Sequence, residues 1–66
     1  MITVTELKKM SKNTYLISAF ADTKAEVATG DFVGLPKNAT IAASSDVMTA
    51  SGELAFMKSD GTWNWV

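Results

Sequence analysis

The segment 53–66, ELAFMKSDGTWNWV, constrains the fold more than any other stretch of the 66 residues. At its centre stands Asp60-Gly61, flanked by two β-prone runs. A pair so placed is a strong hairpin signal. A type I′ turn needs φ > 0 at both central residues, and Asp and Gly tolerate that best. A two-residue turn sets Ser59 against Thr62, Lys58 against Trp63, Phe56 against Trp65, Met57 against Asn64 and Ala55 against Val66. Side chains alternate along a strand, so this register gathers Leu54, Phe56, Trp63 and Trp65 on one face, the candidate core.

A core of that kind matters in a chain this short. One domain, 1–66, buries only about 60% of the surface its unfolded chain exposes, so it needs a dense core, a staple or a partner. The sequence has no Cys and no His, which removes disulfides, thiolate metal sites and the commonest general base. Burying one large aromatic contributes up to about 4–6 kcal/mol by transfer of its ~150–250 Å². The net stability of a domain this size is roughly 3–10 kcal/mol. Self-association is the other route to buried area, and it is expected here.

The net charge is −1, from six Lys against seven acids with no Arg. A nucleic-acid binder usually carries a basic excess, so this balance argues against one. No apolar run reaches the ~20 residues that span a bilayer. The first residues lack the basic, apolar and small-residue succession of a signal peptide. The expectation is a product that is not secreted and engages no membrane, metal or cofactor.

Along the chain, Thr3-Val4-Thr5-Glu6 fits a capping box, with Ile2 and Leu7 at the spacing of a hydrophobic staple. It predicts a short helix over about 4–10. The competing reading makes Ile2-Thr3-Val4 an edge strand, because β-branched residues favour strands. Thr14–Phe20, TYLISAF, is a strand with apolar side chains on both faces, as expected of a central strand covered twice. Asp22-Thr23-Lys24 and Thr29-Gly30-Asp31 are turns, and 25–28 is ambiguous. Gly34–Asn38 is a loop fixed by Pro36. Short extended runs follow at 39–43 and 46–50. Ser51-Gly52 turns the second of these onto Leu54. A two-residue loop there sets Thr49 against Leu54, a three-residue loop sets Met48 against Leu54, and the choice stays open. Either way residues 46–66 read as a three-stranded antiparallel meander.

The chemistry-bearing residues are dispersed. Asp22, Glu26, Asp31, Asp46, Glu53 and Asp60 lack the spacing of a Ca²⁺ loop. Ser44-Ser45 has no His to activate it, and neither Tyr15 nor Lys24 is singled out by any partner. No enzyme is expected. Trp63 and Trp65 read either as a core or subunit-contact stripe or as a platform stacking sugars or single-stranded nucleic acid. Lys58 is placed as a cation–π neighbour of Trp63. If Thr62–Val66 is a sheet edge, its free amides and carbonyls can receive a neighbour's strand. Trp63, Trp65, Val66 and Lys58 are therefore the candidate interface.

Gly34-Leu35-Pro36, Gly52-Glu53 and Asp60-Gly61-Thr62-Trp63 together give a pattern from Asp31 onward that resembles the C-terminal part of small phage and prophage virion proteins. The likeness covers about half of the chain and rests on turn and strand motifs. It implies a structural or assembly role in the virion, or in the bacterial cytoplasm during morphogenesis, and no catalytic residues. The expectation is a mostly β domain, a small antiparallel sheet or barrel-like unit. A C-terminal meander packs on the Thr14–Phe20 strand, and the chain acts through contacts with itself or other virion proteins. The alternative is a ligand-binding module built on Trp63 and Trp65.

Overall fold

Ile2-Thr3-Val4-Thr5 puts four β-branched residues in a row, and they form a strand. In a computed structural model describing residues 1–66, β1 (Ile2–Ser11) replaces the helix expected over 4–10. Branching at Cβ costs χ1 freedom in a helix, and a ten-residue strand laid against β2 (Thr14–Ala21) recovers more. The same Thr-x-x-Glu motif occurs again at Thr23–Glu26, and there it does cap a helix. Thr23 accepts the Glu26 amide, and the Glu26 carboxylate accepts the Thr23 amide, opening α1 (Lys24–Val27). Ala25, Glu26 and Val27 have no strand to join, so the local signal prevails.

The remaining strands are β3 (Phe32–Val33), β4 (Thr40–Ile41), β5 (Asp46–Thr49), β6 (Leu54–Met57) and β7 (Trp63–Trp65). They form one seven-stranded sheet in the order β3-β1-β2-β5-β6-β7, with β4 also beside β2. The mostly β expectation and the 46–66 meander hold, but the sheet is mixed. Pairs β1–β3, β2–β4 and β2–β5 are parallel, and the other three are antiparallel. Five strand spacings of ~4.8 Å would hold β3 and β7 about 24 Å apart in a flat sheet. Instead the rings of Phe32 and Trp63 stack with centroids 6.1 Å apart, so the sheet curls into an open barrel.

Strand β2 is central, with β1 on one side and β4 then β5 on the other. The handover between β4 and β5 leaves one gap, where the Ile17 amide has no strand carbonyl. The Ser45 hydroxyl accepts that amide at 3.0 Å and is fully buried. This is how a buried backbone donor is satisfied where a ladder breaks. The core lies inside the curl: Ile2, Ile17, Ala19, Ala21, Val27, Phe32 and Val47, with Trp63 and Trp65 packed against it. Only that face of β2 is covered. Phe20 on the other face is 43% exposed, which corrects the expectation of a strand covered twice.

Both meander turns share one build. Thr49 and Glu53 close the first around Ala50-Ser51-Gly52, and Lys58 and Thr62 close the second around Ser59-Asp60-Gly61. In each, the glycine amide donates to the carbonyl three residues back, and the glycine takes φ near +90°. This is the three-residue hairpin, a type I turn followed by a left-handed residue. The first outcome matches the three-residue alternative, with Met48 opposite Leu54. The second overturns the type I′ turn. Ala55 faces Trp65, Phe56 faces Asn64 and Met57 faces Trp63. A slip of one residue exchanges faces. The tryptophans therefore share the inner face with Ala55 and Met57, while Phe56 points outward, 41% exposed, and is no part of the core.

Candidate functional site

The outer face of the sheet carries the feature that most needs a role. Register places Val33 opposite Thr3, Thr3 opposite Phe20, Phe20 opposite Met48 and Met48 opposite Leu54. Val66 completes the row, its amide donating to the Leu54 carbonyl at 2.9 Å. One line across the whole sheet is thus apolar at every position but Thr3. Most of the row is open to solvent: Val33 is 53%, Met48 48% and Val66 84% exposed, with Leu54 half-buried between Met48 and Val66. Phe56 lies in the next row, between Asp46 and Asn64. Isolated apolar side chains on a surface need no explanation, whereas a contiguous row marks a contact surface.

Of the residues singled out from sequence, Val66 joins this row. Trp63 and Trp65 do not; they are half-buried on the inner face. Phe32 covers one side of the Trp63 ring, and the Lys24 ammonium sits 5.0 Å from the centroid of Trp65. The cation–π partner is therefore Lys24 on Trp65, not Lys58 on Trp63. Lys58 instead lies 3.8 Å from the Asp60 carboxylate, since the three-residue loop brings Lys58 opposite Thr62. The outer edge of β7 is open, as expected of a sheet edge. Sequence reading passed over Phe20 and Met48, and it placed Leu54 in the core, whereas the register sets Leu54 on the outer face with Phe56. Phe20 stood out on the second face of TYLISAF, but only the parallel pairing of β2 with β5 aligns it with Met48.

A second open edge belongs to β1. Its neighbour β3 pairs only with Ile2 and Thr3, and Gly34 crosses beside Val4. From Thr5 to Ser11 nothing flanks it on that side, and all seven residues are exposed. Thr5 is an extra residue, a bulge against β2, and its hydroxyl donates to the Ser18 carbonyl at 3.1 Å. Beyond the bulge, Glu6 and Lys8 lie on the outer face, opposite Ser18 and Leu16, while Leu7 and Lys9 lie on the inner, opposite Ile17 and Tyr15.

Charged groups elsewhere serve local structure. The Met1 ammonium donates to Glu26 at 2.6 Å and to Asp22 at 2.9 Å. The bond to Glu26, then that to Asp22, raises the amine pKa above its ordinary value, and the bond from the amine lowers that of Glu26. Asp60 is held low by the Thr62 hydroxyl at 2.6 Å and then by the Thr62 amide. Ser45 is occupied with Ile17, and Asp46 accepts the Ser18 hydroxyl at 2.8 Å. No three acids gather closely enough to hold a metal ion. A groove of about 400 Å³ beside the apolar row is lined in part by Glu6, Lys8, Ser18 and Asp46, and is open to solvent. No helix is long and apolar enough to cross a membrane. No protein-family model, curated protein or solved structure matches this chain.

Proposed function

We propose that this chain is a structural or assembly protein of a phage or prophage particle, acting through contacts with itself and with other virion proteins. The observation that carries the contact role is the apolar row of exposed Phe20, Met48 and Val66, with half-buried Leu54 among them, across one sheet face. A small domain with so little core gains by covering such a row. The particle setting comes from the likeness of Asp31–Val66 to small virion proteins, carried by Gly34-Leu35-Pro36, Gly52-Glu53 and Asp60–Trp63. On this reading the protein works in the virion, or in the bacterial cytoplasm while the particle is built. The ring contacts of Trp63 with Phe32 and of Trp65 with Lys24 favour cohesion over ligand stacking.

Light scattering over a concentration series tests the self-contact. The mass is expected to climb above the 7.1 kDa of one chain, and a Phe20→Ser/Met48→Ser variant is expected to associate less with its circular dichroism unchanged. A wild type that stays monomeric at high concentration would overturn self-association.

A further inference from the structure

We infer that part of the exposed edge of β1, Thr5 to Lys9, pairs antiparallel with the same five residues of a second copy, about a two-fold axis at Leu7. The inference rests on the self-association proposed above and adds to the apolar row a second contact, along an edge, that takes part in it. That edge presents unpaired amides and carbonyls along a run of ordinary strand length. Its occupant is argued from charge. The axis of a symmetric antiparallel pair passes through a residue facing its own copy, so few registers exist. Centred on Leu7, the pair sets Glu6 of each chain opposite Lys8 of the other, twice over, with Leu7 on Leu7 and Thr5 opposite Lys9. Centred on Lys8, it sets Lys8 on Lys8 and leaves Glu6 opposite Met10. Centred on Glu6, it sets Glu6 on Glu6. Opposite charges directly across a ladder stabilise it and like charges oppose it, so one register is selected and its neighbours are rejected.

Glu6 and Lys8, two residues apart, share the outer face and Leu7 lies on the inner, so each acid and its lysine meet on one side of the joined sheet. Leu7, 45% exposed in the single chain, gains cover from its own copy. Lysines on an open edge usually discourage pairing. Here Lys8 and Lys9 oppose the registers centred on themselves while Lys8 favours the one centred on Leu7, which is how a specific contact excludes wrong alignments.

The absence of any cysteine makes the test clean. Under mild oxidation Leu7→Cys is expected to form a covalent dimer, since directly opposed residues have Cβ atoms ~4.5–5.5 Å apart. Lys9→Cys, two residues from the axis, is expected to cross-link roughly ten-fold more slowly, being beyond disulfide reach. Glu6→Lys is expected to move the association midpoint to higher concentration, and Glu6→Lys/Lys8→Glu to restore it. All these positions are exposed, and circular dichroism verifies that each variant folds. If the wild type associates but Leu7→Cys cross-links no faster than Lys9→Cys, or the double charge exchange fails to restore association, this edge is refuted while the assembly reading stands. A wild type monomeric throughout refutes both.

Discussion

Trp63 and Phe56 lie on neighbouring strands and on opposite faces of the sheet, and substitution separates them. Trp63 is half-buried against Phe32 and the inner cluster. Trp63→Ala is expected to cost about 2–3 kcal/mol, below the ~3–5 of a fully buried aromatic. Phe56→Ser, on an exposed outer position, is expected to change stability by less than about 0.5 kcal/mol. Equilibrium denaturation measures both; equal losses would mean that the hairpin register is wrong. The reason sequence reading placed Phe56 inside is specific. Asp60-Gly61 announces a hairpin, and a glycine with positive φ serves both a type I′ turn and the last position of a three-residue loop. The turn was legible in the sequence and its length was not, and one residue of length decides which face meets the core. Thr3 and Thr23 teach a related lesson, because the same Thr-x-x-Glu spacing caps a helix only where no strand competes.

Among the elements, α1 carries the alkaline side of the pH dependence and shares the acid side with the Asp60 turn. Glu26 both completes the α1 capping box with Thr23 and accepts from the Met1 ammonium. Its folded pKa lies below the ordinary carboxylate value, so its contribution is present above that value and is lost as pH falls through the folded one. The amine has its pKa raised above about 8.0, so its contribution is complete below that and is lost as pH rises through the raised value. Melting temperature is therefore expected to hold a plateau between the two and to decline on either side. Acetylating the amine is expected to remove the alkaline decline and leave the Thr23–Glu26 box in place. A profile unaffected by acetylation would count against the contact. The other elements divide by the range of their signals. The β5-β6-β7 meander was legible because its turns are local. The β2–β5 pairing was not, since it joins Ser18–Ala21 to Asp46–Thr49 across a crossover that no neighbouring residues encode.

For the whole molecule, the decisive fact is how the sheet closes. Backbone bonds run unbroken from β3 through β2 to β7, and there they stop. Between the two ends it is aromatic rings, Phe32 on Trp63, that meet. The cylinder thus has a seam fastened by side chains, and a seam of that kind parts more cheaply than a ladder of amides. Local opening draws on the least-bonded regions first. Amide deuteration is expected to be slower in Ile17–Ala21 than in Phe32–Val33 and Trp63–Trp65. Uniform exchange across all strands would argue against it. Unfastening there would bare the indoles and the inner lining together, without disturbing β2.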